Sequence, residues 1–223
     1  MGTNPLGAEE LVTVAVVDDH QVVLDGIRAW IHQDQPARIH VLADGGQIDS
    51  VLAGPGGRAD VLILDLGLFG GSVADRVAEL AERHRVVVFS AERSDETIRA
   101  VLAAGAVAYL TKDEGKEHFI GTVLAAAEDR AYVTPSVARA MLGDTSPHRP
   151  RLSDQERRAL LLWFQLPKKQ AVATQMGISV ETVDQYIGRA RAKYLDSGRQ
   201  AGNKAAMVAR AIEDGLIRPE DVR

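Results

Sequence analysis

Five short apolar runs, each followed by a stretch of helical periodicity, constrain the front of this chain more than any other feature. The runs are Val12–Val17 (VTVAVV), Ile39–Ala43 (IHVLA), Val61–Leu66 (VLILDL), Arg85–Ser90 (RVVVFS) and Val107–Leu110 (VAYL). Three of them are nearly continuous in apolar residues, the pattern of parallel strands covered on both faces. Helical patterns lie between and after them, over Gln21–Gln33, Gly46–Ala53, Ser72–Arg83, Ser94–Ala104 and Lys116–Asp129. Ser94 followed by Asp95 and Glu96 supplies a cap and two first-turn acids, and Gly105 after Ala104 is a helix stop. Five strands alternating with five helices predict an α/β domain built on a five-stranded, doubly wound parallel sheet. Right-handed crossovers then bring the C-terminal ends of the strands to one edge, where ligands bind in such folds.

The residues at that edge are chemically specific. Asp18 and Asp19 end the first strand, Asp65 the third and Ser90 the fourth, and Lys112 follows the fifth. Three neighbouring carboxylates repel one another unless a cation lies between them, which implies a hard, oxygen-preferring ion such as Mg²⁺. With the ion present, a carboxylate oxygen of Asp65 can attack a phosphoryl donor, Lys112 can offset the acyl-phosphate charge and Ser90 can donate a hydrogen bond to it. A phosphatase or nucleotide hydrolase would instead want a phosphate-cradling glycine loop after the first strand; Asp18-Asp19-His20 stands there, so an enzyme is not expected.

The tail has a different character. Residues 1–150 carry 13 Lys+Arg and 22 Asp+Glu, a net of −9, and residues 151–223 carry 13 and 9, a net of +4; together they give the overall −5. An acidic front joined to a basic tail suits a polyanionic partner for the tail. Between them Gly143–Arg151 (GDTSPHRPR) has two prolines, a glycine and no apolar period, and reads as a linker. The expected division is therefore 1–142, 143–151 and 152–223. Ser153 and Glu156 form a capping-box pattern opening a helix that stops before Pro167. Lys168–Met176 is the next helix, Gly177-Ile178-Ser179 a turn, and Val180 to about Tyr194 a third helix with Val183, Ile187, Ala190 and Tyr194 on its inward stripe. A last helix covers Asn203–Asp214. A short helix, a glycine turn and a helix showing Gln185 and Arg189 outward suit the DNA major groove, with Lys168, Lys169, Arg191 and Lys193 on phosphates.

With aromatics at 4% and no cysteine, the core must be aliphatic, and disulfides, thiolate metal sites and cysteine nucleophiles are excluded. No apolar run approaches the roughly 20 residues that span a bilayer, and the opening MGTNPLGAEE does not resemble a signal peptide. A cytoplasmic protein without membrane attachment is expected.

VVDDH at 16–20, VLILDL at 61–66, VVVFSA at 86–91 and GAVAYLTKD at 105–113 together resemble the receiver domain of two-component response regulators, over about residues 10–130. DDHQVVLDGI at 18–27 is similar to the NarL/FixJ (LuxR-type) branch, and LSDQE at 152–156 with GISVETVDQYIGRARAKY at 177–194 resembles the LuxR-type helix-turn-helix. The resemblance implies a flavodoxin-like receiver with a second, all-α DNA-binding domain. It implies Asp65 as phospho-acceptor; Asp18, Asp19, Asp65 and the Gly67 carbonyl as Mg²⁺ ligands; and Ser90 and Lys112 as partners of the phosphoryl group. Ser90 would be drawn inward on phosphorylation and Tyr109 would follow. It further implies a histidine kinase as phosphodonor, and double-stranded DNA bound by a homodimer through Lys168, Lys169, Thr182, Gln185, Arg189, Arg191 and Lys193. Met207, Val208, Ala211 and Ile212 of the last helix are a candidate dimer contact, with burial inside the chain's own domain as the alternative. Two departures stand out. The loop after Asp65, Leu66-Gly67-Leu68-Phe69-Gly70-Gly71, lacks the family's proline and reads as looser, and Asp184 stands where the family places a DNA-facing lysine. The alternative is a DNA-binding regulator whose receiver is not phosphorylated and answers to protein or small-ligand contacts.

Overall fold

A computed structural model of the chain describes residues 11–142, 150–199 and 201–221. Strands β1 (Val12–Val17), β2 (Ile39–Gly45), β3 (Val61–Leu64), β4 (Val86–Ser90) and β5 (Ala108–Thr111) form one sheet in the order β2-β1-β3-β4-β5, all parallel. The helices between and after them are α1 (Gln21–His32), α2 (Ile48–Ala53), α3 (Val77–Ala81), α4 (Asp95–Ala103) and α5 (Gly115–Ala127). Strand alternation divides the core in two. Val14, Val16, Ile63, Phe89 and Leu110 face one side with Leu24 and Ile27 of α1 and Phe119, Ile120 and Val123 of α5. Ala15, Val17, Leu62, Leu64, Val88 and Tyr109 face the other, with Val51 of α2, Leu80 of α3 and Ile98 and Val101 of α4. This is the doubly wound α/β sheet that the sequence predicts.

Differences in detail have local causes. The third helical pattern, Ser72–Arg83, keeps only its central turns as α3, behind a 3-10 turn at Ala74–Arg76. The glycine-rich loop after Asp65 is not loose. Gly67–Leu68 pairs antiparallel with Gly71–Ser72, and Phe69 and Gly70 turn the hairpin with φ of 51° and 76°. Two consecutive positive φ values are what a tight two-residue hairpin demands, and Gly70 supplies the second without steric cost. A helix outside the expected set, α6 (Pro135–Leu142), follows α5, with proline at its first position. Most of the expected linker, residues 143–149, lies outside the described residues.

The tail forms α7 (Asp154–Gln165), α8 (Lys169–Met176), α9 (Val180–Asp196) and α10 (Lys204–Glu213). The capping box at the start of α7 is complete, with Glu156 N donating to Ser153 Oγ and Ser153 N to Glu156 Oε2. Gly177 ends α8 in the left-handed conformation, φ 68°, and Ser179 caps α9. Val183, Ile187, Ala190 and Tyr194 are all buried.

The tail rests on the sheet domain through α10. Its apolar residues Met207, Val208, Ala211 and Ile212 are buried in a cluster that also contains Val137, Ala140 and Met141 of α6 and Val101 and Leu102 of α4. At the N-terminus of α10, Asn203 Oδ1 caps the helix by accepting from Ala206 N, while its Nδ2 donates to Gly105 O at 2.7 Å and Ala106 O at 3.0 Å in the α4–β5 loop. The next residue, Lys204, is 3% exposed and donates to Asp129 O and Leu166 O with its Nζ over the Trp163 ring. Burial lowers its pKa to about 8. Among the described residues no helix is long and apolar enough to cross a membrane.

Candidate functional site

The sheet ladder continues one step beyond its strands and so fixes the candidate residues. Asp18 N donates to Gly45 O, Asp65 N to Val17 O and Lys112 N to Ser90 O. Asp18, Asp19, Asp65, Ser90 and Lys112 thereby converge at one end of the sheet, as the alternation of strands and helices requires. Asp18, Asp65 and Ser90 are buried at 2–4% exposure.

Lys112 Nζ lies 2.6 Å from Asp65 Oδ2 and 2.7 Å from Asp18 Oδ2, bridging the two carboxylates. Ser90 Oγ donates to Asp65 Oδ1 at 2.7 Å, and Gly67 N donates to the same oxygen at 3.2 Å. Burial alone would raise the pKa of Asp65, but the hydrogen bonds from Lys112, Ser90 and Gly67 outweigh it and hold the carboxyl below its ordinary range. Lys112 shows the converse balance: burial lowers its pKa, and its bonds to Asp18 and Asp65 more than restore it, so the ammonium is held above its usual value. Asp65 is therefore an ionised, buried, oriented carboxylate with a cation on one oxygen and a hydroxyl on the other.

Asp19 Oδ2 accepts from Phe69 N at 2.7 Å and ties down the hairpin tip. Asp19 Oδ1 is buried and accepts no hydrogen bond among the described residues, with His20 Nδ1 3.0 Å away. One ligand atom from each of Asp18, Asp19, His20 and Asp65 falls within 4.8 Å of all the others. Clustered carboxylate oxygens, one of them buried and unbonded, fit a hard divalent cation. The cleft over this cluster has a volume of about 670 Å³, and Gly67, Ser90, Glu92, Thr97 and Lys112 contribute to its walls. Glu92 and Thr97 carry no signal in their sequence context, and only the closure of the loops brings them here, whereas His20 follows Asp18-Asp19 directly in the chain.

Ser90 and Tyr109 both already sit inward. The Tyr109 ring is fully buried and its hydroxyl donates to Glu92 O at 2.7 Å. Burial, with Glu92, Asp65 and Glu114 nearby, pushes its pKa upward. The back of the same strand is tied to α6, since Thr134 Oγ1 donates to Tyr109 O and Glu114 accepts from both Thr111 N and Ser136 N.

The tail residues expected at DNA divide into two groups. Lys168, Gln185 and Arg189 are exposed, Arg189 lying over Tyr186 and reaching Gln185 Oε1 at 3.4 Å. Thr182 is half-buried at the start of α9, where its N donates to Ser179 Oγ. The remaining three are engaged within the chain. Lys169 pairs with Asp184 at 2.5 Å, and Lys193 with Glu156 at 2.6 Å. Arg191 lies against the Trp163 ring rather than on the outward face; its Nε is buried and has no hydrogen-bond partner among the described residues, and burial lowers its pKa.

Residues 14–124 match the model of the response regulator receiver domain. The DNA-binding transcriptional activator DevR/DosR of Mycobacterium tuberculosis is 27% identical over 213 residues, covering 91% of this chain and 96% of that protein. A probable transcriptional regulatory protein NarL of the same organism is 28% identical over 211 residues, covering 92% and 97%. In fold, the chain is similar to the response regulator RcsB of Salmonella typhimurium, with a TM-score of 0.53 at 21% identity over 89% of this chain and 97% of that one.

Proposed function

Because the chain belongs to the NarL/LuxR-type response regulators, with a receiver domain over residues 14–124, we propose that it is a phosphorylation-dependent transcription factor whose acceptor is Asp65. The observation that carries this reading is the setting of Asp65, buried and ionised between Lys112 Nζ and Ser90 Oγ beside the Asp18–Asp19 pair. A carboxylate oxygen of Asp65 forms a bond to the donor's phosphorus as the donor's P–O or P–N bond breaks. The ammonium of Lys112 and the hydroxyl of Ser90 then interact with the phosphoryl oxygens. Asp18, Asp19, Asp65 and the Gly67 carbonyl would hold Mg²⁺, which supplies charge neutralisation for the transferring group. The donor is a histidine kinase.

The tail binds double-stranded DNA as a homodimer. DevR/DosR, related along nearly its whole length, is named a DNA-binding activator. The α8–turn–α9 geometry suits the major groove, with Lys168, Lys169, Thr182, Gln185 and Arg189 on the groove side. Lys169 reaches DNA only by leaving Asp184, as Arg191 and Lys193 join only if their contacts to Trp163 and Glu156 are released. Domains of 1–142 and 152–223 joined by a linker, in a cytoplasmic protein that is not an enzyme, complete the reading. The test is incorporation of labelled phosphate from acetyl phosphate with Mg²⁺. Wild type should incorporate and Asp65→Asn should not, with promoter-fragment affinity rising only in the former. Equal labelling of the two proteins would remove Asp65 from this role.

A further inference from the structure

Helix α9 presents an unusual surface for a helix that faces a polyanion. With Val183, Ile187, Ala190 and Tyr194 buried, the residues left in solvent on its first three turns are Glu181, Asp184, Gln185, Gly188 and Arg189. Two of the five are acids, and one is a glycine at the middle of a 17-residue helix. Mid-helix glycine is unfavourable relative to alanine and is used where a backbone must approach something closely. Outside the local backbone of its own helix, no heavy atom among the described residues lies within 4 Å of the position where a Cβ on Gly188 would stand, so no neighbour in the described fold requires glycine there. Asp184 is one turn before Gly188 on the same side of the helix. Its carboxylate is half-exposed and paired with Lys169 Nζ at 2.5 Å, at the start of α8.

We propose that Asp184 is a base-reading residue of this helix and selects cytosine, with Gly188 letting the backbone come near enough for so short a side chain to reach. This rests on the DNA-binding reading above. In a helix-turn-helix the N-terminal part of the second helix meets base edges while the first helix crosses the backbone, which puts Asp184 over the bases and Lys169 beside a phosphate. A carboxylate only accepts hydrogen bonds. In the major groove guanine and thymine offer acceptors, adenine offers a donor beside an acceptor, and cytosine offers its N4 donor. An acid at this position is therefore repelled by most base edges and satisfied by cytosine. Lys169 keeps the local charge near neutral during approach and, being on a flexible half-exposed stem, can turn to the backbone once the carboxylate is engaged.

The experiment is selection of bound sites from randomised duplex DNA by the full-length chain and its variants. Wild type should select cytosine at one fixed position in each half-site. Asp184→Asn should change that position to adenine, which asparagine reads through N6 and N7, and Asp184→Ala should lose the preference there and nowhere else. Gly188→Ala should melt at or above the wild-type temperature yet bind the selected site about ten-fold more weakly, as expected for one lost base contact. If the Asp184 variants select the same sequence as wild type, Asp184 serves only to pair Lys169 and the inference is overturned. If no protein, wild type included, selects any sequence, the DNA-binding reading itself fails.

Discussion

Replacing Lys112 by methionine tests whether the acidic cleft holds together through one cation. The Lys112 ammonium is 2.6 Å from Asp65 and 2.7 Å from Asp18, whose side chains are 4% and 3% exposed, and the lysine itself is 19% exposed. Methionine keeps the length of the stem and removes the charge, leaving two buried carboxylates without their counter-ion and Asp19 beside them. Breaking a buried ion pair from one side costs about 3–5 kcal/mol. The cleft opens to water above the lysine, so the lower end, about 3 kcal/mol, applies. In a protein of this size 1 kcal/mol moves Tm by about 2–4 °C, so Lys112→Met should melt about 6–12 °C below wild type in EDTA. Excess Mg²⁺ should narrow that gap, because the variant's more negative cluster gains more from a bound cation; ligand at a hundred times its Kd adds about 2.7 kcal/mol. Calorimetric melts of both proteins with EDTA and with Mg²⁺ provide the measurement. A variant as stable as wild type in EDTA, or a gap that Mg²⁺ leaves unchanged, would refute the charge argument.

Glu156 is buried, and although burial raises its pKa, the hydrogen bonds from Lys193 and Ser153 bring it below the usual glutamate value. A depressed carboxyl contributes stability that is complete above its unfolded pKa of about 4.5 and is lost as pH falls through the lower folded value. Glu156→Gln keeps the capping box and loses the charge, so it should cost about 1 kcal/mol near neutrality; urea titrations should show that cost shrinking below pH 4.5, and a pH-independent difference would contradict the assignment. Asn203→Ala removes both the α10 cap and the two bonds to the α4–β5 loop, a loss of about 1–2 kcal/mol. Hydrogen exchange should quicken along α10 while the β1 and β3 amides keep their protection; unchanged α10 protection would show the cap to be dispensable.

The sheet and the residues at its edge were legible because both depend on local signals: apolar runs for strands, and polar residues where those runs end. Asp18, Asp65, Ser90 and Lys112 could be placed from strand order alone. Helix α6 carried a signal too. Thr134-Pro135-Ser136 is a helix start, and Val137, Ala140 and Met141 have helical spacing, but the run is short and lies against a stretch without pattern. The hairpin after Asp65 was hidden for a different reason: Phe69 sits at positive φ, which its residue type does not favour, and is held there by neighbours that include the Asp19 carboxylate. Arg191 shows the limit of a helical wheel. Its position on α9 flanks the buried stripe, and whether it turns outward or inward is decided by Trp163, 28 positions earlier in α7.

The apolar cluster that passes from the sheet through α4 and α6 into α10 bears on how far such a protein can be taken apart. Grafting this tail onto a foreign input module would strip Met207, Val208 and their neighbours of their seat, and the chimera would inherit a sticky flank in place of a quiet one. Any workable exchange has to carry α6 and the matching surface of α4 along with the tail, so the unit that can be transplanted is larger than the four-helix tail itself.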